Sequence, residues 1–292
     1  MKYAKKILSM LLLVTVIVAF MPMTNVFAAT KINTTNKVIY VGSSYTLKVT
    51  GTKKTVKWSS NNKAVATVTS KGKVTAKSEG IATIKAKVGK KTYKCKVIAK
   101  YKFNHAETIK NISYTYSKIR QGVIVVFKNN NPFNIDFTAK MVFFDSKGNM
   151  LRASSEEIYC LERNGGESVQ FFYGPEDDNY NYVDYDHIKI FLSAEKSRYI
   201  SYASQISINS NLGSNNVTAE ITNNSNKQLQ FINISIAYYD ASDNIIGYDY
   251  TYADCKAPKS VDYITFDLPH DDNYNTVIPS RYKIYVNHAY IW

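Results

Sequence analysis

From residue 31 onward the chain alternates apolar and polar positions with a period of two. Ala82, Ile84, Ala86 and Val88 fall on one side of a stretch whose other side carries Thr83, Lys85 and Lys87. Tyr45, Leu47 and Val49 repeat the pattern. That period predicts strands with one buried and one solvated face. Turn-forming residues recur at Gly51, Asn61-Asn62, Lys71-Gly72, Gly80 and Gly89. Short alternating strands punctuated this often predict an all-β sandwich. No stretch beyond the first thirty residues carries a period of 3.6.

The first thirty residues follow different rules. Lys2, Lys5 and Lys6 precede an apolar run from Ile7 to Phe20, and small residues close the segment at Ala28 and Ala29. The run is shorter than the roughly 20 residues of a membrane span, so residues 1–29 are expected to be a cleaved signal peptide. With no Cys before residue 31 and no sorting motif at the C-terminus, the mature chain is expected to be secreted. It would have no membrane span, and any hold on the cell wall would be non-covalent.

The stretch 31–100 strongly resembles the group 2 bacterial immunoglobulin-like domain. Val41-Gly42 precedes the Tyr45/Leu47/Val49 strand, and Val56-Lys57-Trp58-Ser59-Ser60-Asn61 follows it. Ala64 to Val68, Gly72 to Ala76 and Gly80 to Ile84 complete the match in order and spacing. The resemblance implies an immunoglobulin-like sandwich on an extracellular protein, often as a spacer or adhesive module, and implies no catalysis. Trp58 is expected to be the large core aromatic, with Gly72 and Gly80 taking turn conformations that a side chain would hinder.

The remainder repeats itself. Phe144-Asp145 and Asn149 correspond to Tyr239-Asp240 and Asn244, and Cys160 corresponds to Cys255. Pro175 with Asp177 to Asn181 returns as Pro269 with Asp271 to Asn275, and Lys189-Ile190-Phe191 returns as Lys283-Ile284-Tyr285. Before the shared Asp, Phe137/Ala139/Met141/Phe143 alternate in one copy and Ile232/Ile234/Ile236/Tyr238 in the other. Each copy resembles secreted bacterial FxLYD-type modules, also taken to be immunoglobulin-like, although the leading Phe and the Leu are absent here. Three sandwich modules in tandem are therefore expected: 30–100, 102–198 and 199–292.

Three Cys in 292 residues are no disulfide framework. Cys95 alternates with Lys and is expected to face inward; a Cys160–Cys255 bond would have to cross between modules.

Charge divides sharply between the two parts. Residues 31–100 hold seventeen Lys and one acid, Glu79, for a net of +16, whereas 101–292 carry seventeen basic and twenty-two acidic residues for a net of −5. A solvated Lys-studded surface is one reading, since Lys also blunts strand edges. Attraction to an anionic polymer through Lys53, Lys54, Lys71, Lys73, Lys85, Lys87, Lys90 and Lys91 is another. Nucleic acid is disfavoured by export and by the absence of Arg from this stretch.

Candidate chemistry elsewhere is thin. The four His, His105, His187, His270 and His288, form no helical pair and no cluster with Cys, and no nucleophile elbow or phosphate loop is present. No enzyme activity, cofactor or resident metal is expected. Asp184 to His187 reads as a solvated loop. The repeated loop of Asp177, Asp178 and Asn179, with Asp271, Asp272 and Asn273, offers oxygens for a ligand or calcium, and the same residue types build Asx-turns. Twenty-four Tyr could stack on sugars or could reflect composition and strand preference. The expected function is a secreted, non-catalytic, cell-envelope-associated binding or adhesion protein. Its partner would be a cell-wall polymer, a glycan or a surface protein; the alternative is a carbohydrate-recognition protein using the Tyr-rich repeat loops, with or without the help of calcium.

Overall fold

The computed structural model describes residues 29–271 and 274–291, so the signal-peptide segment lies outside the described residues up to Ala28, as do Asp272 and Asn273. The chain divides into two compact units, one ending at Lys102 and one beginning at Phe103. Among the described residues no helix is long and apolar enough to cross a membrane.

The first unit is a sandwich. Its strands are β1 (Lys31–Ile32), β2 (Asn36–Tyr40), β3 (Ser44–Thr46), β4 (Val49–Thr50), β5 (Val56–Ser60), β6 (Ala66–Val68), β7 (Lys73–Ala76), β8 (Gly80–Val88) and β9 (Lys91–Lys100). One sheet runs β2-β9-β8-β5 and the facing sheet β3-β7-β6, with β1-β4 as a small pair. The stretch read as one strand from Tyr45 to Val49 divides, because its first half pairs with β7 and its second with β1. Between the sheets lie Ile39, Leu47, Val74, Ile84, Val97 and several buried Ala, with Cys95 among them as its alternation with Lys requires.

Trp58 departs from expectation. It sits on β5, the edge strand, and is only partly buried, so it flanks the core instead of filling its centre. A Cβ on Gly72 would come within 3.0 Å of the indole and 2.4 Å of the Leu47 carbonyl. Gly72 and Gly80 both have positive φ, as the turn reading expected.

The second unit opens with a six-residue helix, α1 (His105–Lys110), that the search for helical periodicity did not find. Six residues span less than two turns, too few for an apolar stripe to register. Its signal is the cap: the Asn104 side chain accepts from the Glu107 N–H at 3.1 Å. Then follow β10 (Ile112–Ile119), β11 (Gly122–Asn129), β12 (Ile135–Phe144), β13 (Met150–Leu161), β14 (Gly166–Tyr173) and β15 (His187–Lys196). After β16 (Ile200–Ser201) and a turn of 3₁₀ helix at Ala203–Gln205 come β17 (Ile206–Leu212), β18 (Asn216–Asn223), β19 (Phe231–Tyr239), β20 (Ile245–Tyr252), β21 (Val261–Asp267) and β22 (Arg281–Ile291).

Sheet order shows the repeat. The first copy forms β10-β11-β14 and β13-β12-β15; the second forms β17-β18-β21 and β20-β19-β22, with β16 added beyond β22. Equivalent Asn129 and Asn223 are fully buried and pin the next turn in each copy. The Asn129 amide donates to Phe133 and Leu161 carbonyls, and the Asn223 amide to those of Lys227, Lys256 and Ala257. Cys160 and Cys255 are both buried free thiols in separate clusters. Burial pushes the Cys160 thiol up to about 11, which suppresses thiolate chemistry.

The two copies pack face to face. Ile124 and Val169 of the first meet Ala237, Tyr239, Ile245 and Tyr285 of the second, flanked by Phe171 and Tyr248. Asn287 lies at the centre of the contact and is 2% exposed. Its carbonyl oxygen accepts from the Ser168 hydroxyl and the Val169 N–H, both at 3.0 Å. Its amide donates to Asn233 at 2.7 Å and to the Ser235 hydroxyl. At the rim Lys283 pairs with Glu167, and the Ser201 hydroxyl donates to Glu162.

Two predictions follow from this joint and the strand that carries it. Asn287→Ala strands several buried partners at once and should cost about 2–4 kcal/mol in urea unfolding of the second unit; a loss within error would show that the network is dispensable. His288 is the second: burial lowers its pKa from 6.5 to about 4. Between those values the unfolded chain binds a proton that the folded chain refuses, so stability is full above pH 6.5 and declines as pH falls toward 4. His288→Gln should flatten the decline, and an unchanged slope would assign it to other groups.

Candidate functional site

Two surfaces collect the residues singled out by sequence. On the first unit all eight proposed Lys are exposed. Lys53, Lys54, Lys90 and Lys91 come together around one open groove of about 830 Å³ that also takes in Thr30 and Tyr93. Lys85 and Lys87 stand on the outward face of β8, where register places Lys85 opposite Lys94 and Lys87 opposite Lys57. Like charges facing one another across strands repel. Lys71 and Lys73 belong to the turn and strand of the other sheet, so the structure does not join them to the groove.

On the second unit the paired Asp loops take one shape. The N–H of Asn181 donates to Asp177 at 2.9 Å and its side-chain amide donates to the other carboxylate oxygen at 3.1 Å. Asn275 binds Asp271 in the same way, at 2.8 and 3.1 Å. Asp145 with Asn149 and Asp240 with Asn244 repeat the pattern. Four turns therefore share an Asp, an Asn four residues on, and a residue of positive φ just before that Asn: Gly148, Tyr180, Asp243 and Tyr274. Hydrogen bonds from Asn181, its backbone first, hold the Asp177 carboxyl below the usual range; at Asp145 and Asp240 the Asn side chain contributes most.

Both oxygens of Asp177 thus serve its own turn. Asn179 contributes its N–H to the same carboxylate at 2.8 Å, and Asp178 is exposed. Among the described residues no group of three or more His, Cys, Asp or Glu gathers as a metal site. The Asp184 to His187 stretch is anchored locally. Tyr185 packs edge-on against Phe143 at 4.9 Å and donates to the Gly122 carbonyl, and His187 pairs with Asp186 at 2.8 Å while stacking on Phe144.

What sequence did not bring together is a second groove, of about 810 Å³, between the two copies. Tyr116, Tyr180 and Tyr182 line it from the first copy, with Lys118, Arg120 and Gln121, and His270 and Tyr274 from the second. Tyr180 is 84% exposed and Tyr274 88%. The residues are scattered over 159 positions of chain from Tyr116 to Tyr274, counted inclusively; the positive φ of Tyr180 and Tyr274 has no local signature in a Tyr.

Residues 26–98 match the bacterial Ig-like domain (group 2). No curated protein matches the chain. A solved structure, domains 5–6 of the S-layer protein SbsC, aligns at 15% identity over 78% of this chain and 97% of that one, with a TM-score of 0.24, too low to carry an argument.

Proposed function

We propose that the protein is a secreted, non-catalytic binding or adhesion protein of a Gram-positive cell envelope, built of three immunoglobulin-like modules over 30–100, 102–198 and 199–292. The matching sheet orders of the two copies support the module count. The Lys-rich domain is the part that contacts an anionic cell-wall polymer, and the paired copies present loops to a further partner.

The observation that carries this reading is the placement of charge. Seventeen Lys against one acid give residues 31–100 a strong positive field, and four of them border one groove. Facing Lys pairs on β5, β8 and β9 store repulsion that a polyanion would relieve. Lys presents a compact charge without the planar fork of Arg, which suits a flexible phosphate-bearing polymer with no fixed geometry to match.

Mature protein should pellet with teichoic-acid-bearing cell walls at about 50 mM salt and release by about 0.5 M, where screening is short-ranged. Replacing Lys53, Lys54, Lys90 and Lys91 together by Gln should weaken binding about tenfold or more. Equal pelleting of that variant, or retention that ignores salt, would overturn the reading. Walls stripped of the anionic polymer should retain little protein.

A further inference from the structure

We propose that the groove between the two copies is a binding site for a neutral saccharide chain, with Tyr180 and Tyr274 as its aromatic platforms. This inference does not rest on the polyanion reading, since the groove belongs entirely to the second unit.

The four equivalent turns supply an internal control. Each needs a residue of positive φ before its Asn, a conformation that glycine adopts freely and a bulky side chain resists. Gly148 fills that position in one turn. Asp243 fills it in another and uses its carboxylate to bind Arg281 at 2.7 Å. In the remaining two the position is Tyr, with φ of 64° and 62°. Neither ring is buried, at 84% and 88% exposure, so packing does not account for the choice. An unfavourable backbone conformation occupied twice by an exposed aromatic, in both copies and at one groove, points to the ring itself as the selected feature.

The chemistry of the groove specifies the ligand class. A pyranose ring has an apolar C–H face and an equatorial rim of hydroxyls. Tyr offers an apolar face with a polar tip, and Tyr116 and Tyr182 add two further rings to the same groove. Gln121 brings an amide that can meet hydroxyls in either sense, while Asn181 and Asn244, whose amide N–H groups hold Asp177 and Asp240, bring their carbonyl oxygens as acceptors. The lining mixes charges: Lys118 and Arg120 stand with the Asp271 carboxylate, and the Lys118 ammonium already donates to the Asp186 carbonyl at 2.9 Å. A groove of about 810 Å³ has room for a chain more than for a single sugar.

The test uses the mature protein at about 0.5 M salt, which silences the Lys-rich domain. Cellohexaose and chitohexaose, neutral β-1,4-linked probes without and with N-acetyl groups, are titrated to about 5 mM by saturation-transfer NMR. At least one should bind. Tyr180→Gly and Tyr274→Gly should each weaken that binding roughly tenfold while leaving the melting temperature equal to wild type or higher, because glycine relieves the positive φ. Tyr263→Ala, removing a ring 74% exposed on β21 outside the groove, should change nothing. No binding of either sugar overturns the proposal, as does undiminished binding by the Tyr180→Gly/Tyr274→Gly double variant. Loss of binding in Tyr263→Ala would also overturn it, by placing the site elsewhere.

Discussion

β19 is buried on both faces, and the second unit depends on that burial. Ile232, Ile234, Ile236 and Tyr238 enter the core of their own copy, while Asn233, Ser235, Ala237 and Tyr239 are covered by the other. A strand in that position must either carry apolar residues throughout or satisfy every polar group it buries. Here both solutions operate. Ala237 and Tyr239 pack, and Asn233 and Ser235 are met by the amide of Asn287. Asn287 reaches in the other direction to Ser168 and Val169, so one side chain links strands from both copies. A hydrogen-bonded centre tolerates little sliding, because displacement would leave several buried groups unmatched.

A fixed joint makes the groove a site instead of a chance gap. Tyr180 and Tyr274 sit on turns of different copies, and their separation is set by how the copies pack. Two further features stiffen each ring's support. The Asp–Asn pair closes every turn from inside, and bridges from Glu176 to Tyr182 and from His270 to Thr276 hold the bases of the two loops. Preorganisation of this kind reduces the ordering cost of binding a flexible chain. In the same turns the carboxylate oxygens of Asp177 and Asp271 accept N–H groups of their own loops.

Much of this was legible along the chain. Strand alternation placed Ala82, Ile84, Ala86, Val88 and Cys95 inside, and the structure buries all five. The offset between Asp145 and Asp240 announced a repeat that the sheet orders share. What escaped depends on distant partners. Trp58 has the composition of a core residue, but its strand is an edge, a property of pairing order and not of local sequence. The outward face of β19 reads as solvent-facing until a second sheet covers it. The groove joins Tyr116 to Tyr274, and no period along the chain links them. Helix α1 was missed because its evidence is one capping Asn and not a face.

The contact between copies is of unlike surfaces: β10-β11-β14 of the first meets β20-β19-β22 of the second. Such head-to-tail contacts can propagate without limit when every copy offers both surfaces. Here the free surfaces have been altered at equivalent positions. Ile124 and Val126 on β11, which lie in the contact, correspond to Thr218 and Glu220 on β18. At the opposite end Ser235 on β19 corresponds to Lys140 on β12, which is exposed. A third copy docking on β18 would have to bury Glu220, and one docking on β12 would have to bury Lys140, each without the apolar partner found at the real joint. Burying an unpaired charge outweighs the gain from a contact of this size. Each outer sheet thus sets a charge where the joint has an apolar or small side chain, and the joint itself brings both sets of turns to one groove.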